Sequence, residues 1–73
     1  MRIFVEPIGV VRSHISSQSM EICRNSTVGE LINVLNLPAK LNVIALADGR
    51  RLSMNEKVKE GASIKIVSLV LGG

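Results

Sequence analysis

Thr27-Val28-Gly29-Glu30-Leu31-Ile32-Asn33-Val34-Leu35-Asn36-Leu37-Pro38 carries its own start and stop signals. The Thr27-Val28-Gly29-Glu30 segment reads as a capping box, in which a hydroxyl and a carboxylate each satisfy a backbone donor that a new helix leaves free. Val28, Leu31, Ile32 and Leu35 then fall at i, i+3, i+4 and i+7, one apolar helical face. Asn36-Leu37-Pro38 ends the run, because proline disfavours helical geometry in the residue before it. A single short helix with one apolar face needs a sheet to cover.

On the N-terminal side two stretches alternate with period two. Met1, Ile3 and Val5 oppose Arg2, Phe4 and Glu6, and Met20 and Ile22 oppose Glu21 and Cys23 within Ser19 to Arg24. That pattern gives a strand one buried and one wet face. Pro7 limits how far the first pairing continues. Ile8 to Gln18 mixes Gly9, Ser13, Ser16 and Ser17 with Val10 and Val11, and reads either as a long hairpin connection or as a strand continuing past a bulge. On the C-terminal side residues 42 to 47 form an apolar run suited to a central strand. Asp48-Gly49 is a hairpin-turn signal leading into Arg50-Arg51-Leu52. Ser53 to Glu60 is a polar connection around Met54 and Val58, and Glu60-Gly61 turns into a last strand, Ser63 to Val70.

The expected order is β-β-α-β-β-β, an α+β domain with a mixed sheet packed on one helix. The first and last strands can pair in parallel, because the chain between them supplies the long crossover such pairing requires. The expected core is Ile3, Val5, Met20, Ile22, Val28, Leu31, Ile32, Leu35, Val43, Ala45, Leu52, Val58, Ile64 and Ile66.

Seventy-three residues make one domain, and a domain this small buries only about 60% of its unfolded surface. The 47% apolar content supports a core, but no apolar run approaches the roughly 20 residues that span a membrane. No secretory signal is expected, since Glu6 and Pro7 interrupt the start. Cys23 has no partner for an internal disulfide, which fits a reducing, cytoplasmic compartment. The net charge of +3 comes from scattered basic residues, and one Phe with no Tyr or Trp provides no stacking platform. Nucleic-acid binding is not expected.

With these elements in place the chain resembles the ubiquitin superfamily over nearly all its length. Met1-Arg2-Ile3-Phe4-Val5 is similar to the opening of ubiquitin, and Asp48-Gly49-Arg50, Leu52-Ser53 and Lys59-Glu60 are similar to its later segments. A strand running into Leu71-Gly72-Gly73 is shared with ubiquitin, with the ThiS and MoaD sulfur carriers of thiamine and molybdopterin synthesis, and with archaeal small modifier proteins. Asp48-Gly49 followed by Val58-Lys59-Glu60-Gly61-Ala62 is similar to the ThiS/MoaD pattern. The apolar Ser68-Leu69-Val70-Leu71 also matches the carriers, whereas the tail of ubiquitin carries arginines. The connection over residues 7 to 18 is longer than in compact ThiS-like chains.

The resemblance implies a ubiquitin-like β-grasp domain over residues 1–71 and a reactive Gly72-Gly73 tail. It implies a protein co-substrate and not an enzyme, with no bound cofactor or metal. An α-carboxylate, pKa about 3.5, is ionised at neutral pH and a poor electrophile. An E1-like adenylyltransferase partner using ATP would convert the Gly73 carboxylate into an acyl-adenylate. A sulfur donor would then give a thiocarboxylate for a downstream synthase in a thiamine, molybdopterin or tRNA-thiolation pathway, or a target-protein lysine would give an isopeptide bond. Gly72, lacking Cβ, suits a backbone threading a narrow channel. A non-covalent ubiquitin-like binding module is the remaining alternative.

Val67, Leu46 and Ile8 fall where ubiquitin-like proteins expose an apolar contact patch, with Leu69, Val70 and Leu71 leading into the tail. Leu46 and Val67 equally suit completion of a core or cover of a sheet edge. His14 has no ligand spacing around it and reads as a loop residue. Cys23 reads as a strand filler or edge thiol, Glu30 as a cap, Glu21 as a strand residue, and Arg50-Arg51 as solvated turn-flanking charge. Lysines 40, 57, 59 and 65 are undistinguished acceptor candidates.

Overall fold

The computed structural model describes residues 1–70; Leu71, Gly72 and Gly73 lie outside the described residues. Five strands, β1 (Arg2–Pro7), β2 (Gln18–Glu21), β3 (Val43–Ala47), β4 (Arg50–Arg51) and β5 (Ser63–Ser68), form one mixed sheet in the order β2-β1-β5-β3-β4. One helix, α1 (Val28–Leu35), covers one face. Among the described residues only β1 and β5 pair in parallel, and both lie inside the sheet, β5 at its centre. This is the expected α+β, ubiquitin-like β-grasp arrangement.

Alternation decides which side of each strand is dry. Ile3 and Val5 of β1, Ala45 of β3, and Ile64 and Ile66 of β5 are buried against Val28 and Leu31 of α1. Leu52 and Val58 close the rim of the same cluster. Met20, Ile22, Ile32, Leu35 and Val43 pack against it while only partly buried, because they lie at its margins.

Pro7 stops pairing on one side only. Phe4 N–H and Ile8 N–H both donate toward the β5 side, to the Ala62 and Ile66 carbonyls at 2.9 Å. Backbone direction alternates along a strand, so the donor Pro7 lacks would have faced β2. That pairing has already ended at Val5 with Gln18. Proline therefore sits in a central strand with no ladder bond missing.

Residues 7 to 18 form neither a plain hairpin connection nor a bulged strand. Gly9, at φ +59°, starts a 3-10 turn over Gly9–Ser13 that places Val11 in the core with no exposed surface. A second 3-10 turn, Ala39–Leu41, buries Leu41. Neither valine nor leucine belonged to the expected core. The second strand is also shorter than the alternation of Ser19 to Arg24 suggests, ending at Glu21. Beyond it Ile22 N–H bonds the Met1 carbonyl, and the chain then turns at Asn25, which has positive φ.

The helix start is satisfied donor by donor. Thr27 Oγ1 accepts from Glu30 N–H at 3.1 Å, and Glu30 Oε1 accepts from Thr27 N–H at 2.9 Å, completing the capping box. The two remaining first-turn donors reach across to residues 53–58: Val28 N–H bonds the Glu56 carbonyl at 2.8 Å and Gly29 N–H bonds the Met54 carbonyl at 2.9 Å. A Cβ on Gly29 would stand 3.2 Å from that Met54 oxygen, which the hydrogen bond itself holds in place. The connecting loop is thus a cap for the helix. Glu56 in turn accepts from Arg50 and from Ser53 N–H, which folds the loop onto β4. At the other end Asn36 takes left-handed geometry (φ 55°), the usual way to end a helix without glycine. Asp48 and Gly49 both have positive φ, as a two-residue primed hairpin turn requires.

Two outcomes follow for stability. In an exposed helix Gly→Ala gains up to about 1 kcal/mol, but here Gly29→Ala will lower the urea midpoint, because the new methyl group presses on the Met54 carbonyl. Glu30 is held below the usual carboxylate range by hydrogen bonds from the Thr27 backbone and side chain, and Glu56 by Arg50 and Ser53. A depressed folded pKa stabilises the fold above the unfolded value and ceases to do so as pH falls through the folded one. Urea midpoints will therefore drop below about pH 4.3, the unperturbed glutamate value, and less steeply in Glu56→Gln.

Candidate functional site

The last described residues are fastened where β5 leaves the sheet. Val43 pairs with Ser68 at the start of β3. Leu69 N–H donates to the Asn42 carbonyl at 3.0 Å, and Asn42 has positive φ (48°), at the exit of the Ala39–Leu41 turn. The Ser68 hydroxyl donates to the Leu41 carbonyl and accepts from Val70 N–H at 3.1 Å. One hydroxyl thus links the backbone of buried Leu41 to the tail root. The chain leaves the domain from a fixed point, although Leu69 and Val70 are exposed, at 43% and 50%.

The expected contact residues form two adjoining surfaces that share Val67. Ile8, Val67 and Val70 line one open groove of about 300 Å³ with Gly9, Val10, Leu41 and Ser68. Leu46 shares with Val67 the sheet face turned away from α1, beside Lys65 and Arg51, and lines a second hollow with Ala47, Asp48 and Gly49. Ile44 is the neighbour of Val67 across the β3–β5 pair. Ile8, Ile44, Leu46 and Val67 are all half-buried. They complete no core, since the buried cluster uses the opposite strand faces. Leu69 is exposed beside the groove, and Leu71 is outside the described residues along with Gly72 and Gly73.

Sequence reading missed Ile44, Val10 and Leu41. Ile44 was accessible in principle, because it shares a strand face with Leu46 and opposes buried Ala45. Val10 and Leu41 carry no such signal, since each sits in a 3-10 turn whose orientation depends on distant strands.

Several of the ionisable residues outside this region are held in ion pairs. Arg50 is paired with Glu56, which raises the guanidinium pKa further, Arg2 pairs with Glu21 at 3.1 Å, and Arg24 with Glu60 at 3.6 Å. Arg50 is thus a paired charge and not a free one. Cys23 is an exposed free thiol and His14 is exposed after the first 3-10 turn. Among the described residues no group of His, Cys, Asp and Glu is arranged to hold a metal, and no helix is long and apolar enough to cross a membrane.

This geometry, a five-stranded mixed sheet gripping one helix with the last described strand at its centre, defines the ubiquitin-like β-grasp fold. Solved structures bear the assignment out. SAMP1 from Haloferax volcanii is similar at TM-score 0.80 and 13% identity, covering all of both chains. A Pyrococcus furiosus protein described as molybdopterin converting factor, subunit 1, is similar at TM-score 0.78 and 16% identity, over 94% of this chain and 98% of that one. A ubiquitin from Caldiarchaeum subterraneum is similar at TM-score 0.67 and 24% identity, over 100% and 98%. By sequence, no family model and no curated protein matches the chain. The likeness is one of fold.

If Ser68 fixes the tail root, Ser68→Ala will leave the domain folded, with a stability loss of about 1 kcal/mol, the ordinary worth of a hydrogen bond. Amide exchange will rise at Val70 and Leu69 and stay unchanged at Ile64 and Ile66, read by NMR.

Proposed function

We propose that this protein carries an activated carboxylate on Gly73 and serves as a sulfur carrier. An E1-like adenylyltransferase would bring a carboxylate oxygen of Gly73 onto the α-phosphorus of ATP, releasing pyrophosphate and leaving an acyl-adenylate. Hydrosulfide delivered by a sulfur donor would then attack the carbonyl carbon through its sulfur and displace AMP, and loss of its proton to solvent would give the thiocarboxylate for a thiamine, molybdopterin or tRNA-thiolation type synthase. The chain itself would be a co-substrate, binding no cofactor, with ATP bound by the partner.

The observation that carries this reading is the tail root. β5 is pinned on both sides in the sheet centre and leads, through residues tied down by Ser68 and Asn42, into Leu71-Gly72-Gly73. The small glycines favour close approach of the backbone to a partner's nucleotide site. The fold likeness to a molybdopterin converting factor subunit supports the carrier reading. The likeness to a small archaeal modifier protein favours a second one, conjugation through Gly73 to target lysines, which shares the adenylation step.

Intact mass of the protein from its native host, beside a variant lacking Gly72-Gly73, tests both. A mass gain of sulfur for oxygen, mapped by fragmentation to Gly73 and distinct from methionine or Cys23 oxidation, is the expected result. Larger conjugates that vanish in the truncated variant would replace the carrier with the modifier. An unmodified Gly73 terminus under both ordinary growth and sulfur stress, or a native chain that continues past Gly73, would leave a non-covalent binding module in their place.

A further inference from the structure

The backbone that leads from β5 toward Gly73 is ordered where no burial demands it. Ser68, the last residue of β5, is half-buried and paired with Val43. Its hydroxyl donates to the Leu41 carbonyl, and the same oxygen accepts from Val70 N–H at 3.1 Å. A serine oxygen bonded to the amide two residues on makes a local turn. Leu69 N–H is held separately, by the Asn42 carbonyl at 3.0 Å. Leu69 and Val70 are nevertheless exposed, so these bonds fix backbone that adds nothing to the core, against the entropy that ordering costs. The acceptors are themselves anchored: Leu41 is buried, its N–H bonds the Pro38 carbonyl at 3.0 Å, and Asn42 N–H bonds that of Ala39 at 3.1 Å. Asn42 has φ 48° and ψ 65°, a left-handed geometry that asparagine and glycine accept and a β-branched residue resists.

Chain length gives this ordering a consequence for a reaction at Gly73. Three residues follow Val70 up to Gly73, and three extended residues reach at most about 10 Å. Counted from Leu69 the reach is about 14 Å, and from Ser68 about 17 Å. The space open to the Gly73 carboxylate grows as the cube of that reach. Releasing Val70 therefore enlarges it roughly two- to threefold, and releasing Leu69 as well enlarges it roughly fivefold. The local concentration of the carboxylate at one fixed point falls by the same factors.

We propose that Ser68 and Asn42 are positioning residues for the reaction at Gly73, clamping Leu69 and Val70 to the Ala39–Leu41 turn so that a docked chain presents its carboxylate within a restricted space. This rests on Gly73 as the reacting group. Neither residue touches the reacting atoms, and the clamp acts after the domain has bound its partner. Its loss therefore lowers the rate of the bound state and leaves binding of the domain unchanged.

The test adds purified chain, at graded concentrations, to lysate of host cells that lack the native copy, supplied with ATP and sodium sulfide. Intact mass follows the initial rate of modification, and fragmentation maps it to Gly73. The chains compared are the unaltered protein, Ser68→Ala, Ser68→Thr, the pair Ser68→Ala with Asn42→Val, the pair Ser68→Thr with Asn42→Gly, and Ser63→Ala. Ser63 begins the same strand at its far end, opposite Phe4. Thermal melts check folding, and the single Ser68 variants carry the test if the Asn42→Val pair does not fold. The expected maximal rate is roughly two- to threefold lower in Ser68→Ala and roughly fivefold lower in the Asn42→Val pair, at an unchanged half-saturating concentration. Ser68→Thr, which keeps the hydroxyl, its pair with Asn42→Gly, which keeps the left-handed backbone, and Ser63→Ala should match the unaltered chain. A Ser68→Ala rate equal to or above that of the unaltered chain overturns the clamp while leaving the function standing. So does a Ser68→Thr or Ser63→Ala rate as low as that of Ser68→Ala. A change confined to the half-saturating concentration makes Ser68 a docking contact and also overturns the proposal. No modification of the unaltered chain overturns the function reading itself.

Discussion

The parallel pairing of β1 with β5 is the constraint from which the rest of the molecule follows. It joins residues some sixty positions apart, Val5 beside Ile64 and Pro7 beside Ile66, with Gly61 N–H bonding the Arg2 carbonyl and Ile8 N–H bonding that of Ile66. Parallel strands cannot be joined by a tight turn, so everything between them becomes a crossover. The helix lies in that crossover and takes the only position from which Val28 and Leu31 can cover Ile3, Val5, Ile64 and Ile66. With β1 and β5 inside the sheet, its edges are β2 and the two-residue β4. Short, polar edge strands discourage pairing with other chains.

The same pairing converts connections into structural parts. Residues 53–58 look like filler between strands, yet the Met54 and Glu56 carbonyls occupy two helix donors that the capping box leaves free. Gly29 is then a contact residue rather than a weak point of the helix. On the opposite side the Gly9–Ser13 turn closes the core with Val11 and puts Val10 in solvent. A domain this small has little surface to spare, and its loops do part of the burying.

Function is proposed at the end of β5 for the same reason. A terminal strand held at a sheet edge would leave its tail attached to a surface that can fray. The last described strand, held at the centre, leaves the sheet from a point hydrogen-bonded to the Leu41 and Asn42 carbonyls through Ser68 and Leu69. The sheet face away from α1 carries Ile44, Leu46 and Val67, and the groove carries Ile8, Val10 and Val70. These are two apolar surfaces meeting at Val67, and the tail leaves from the second.

The amino-acid sequence by itself determined the features that depend on neighbours along the chain. The capping box at Thr27 and Glu30, the helical stripe ending at Asn36, the Asp48-Gly49 turn and the alternation of Ile3, Val5, Ile64 and Ile66 are all legible, because period and dihedral preference are local properties. That β-β-α-β-β-β order also limited the fold to few candidates. Only the tertiary structure decided the rest. Residues 7–18 have no period, so whether Val10 or Val11 faces inward depends on the core that β5 completes. Leu41 is buried for a similar reason, beneath a turn whose carbonyl meets Ser68 from the far end of the chain. Leu46 could be assigned to an exposed strand face, but that it shares this face with Val67, which lies opposite Ile44 while Leu46 lies opposite Lys65, required the β3–β5 register. Those relations are set by hydrogen bonds and packing between segments distant in sequence, which no local pattern encodes.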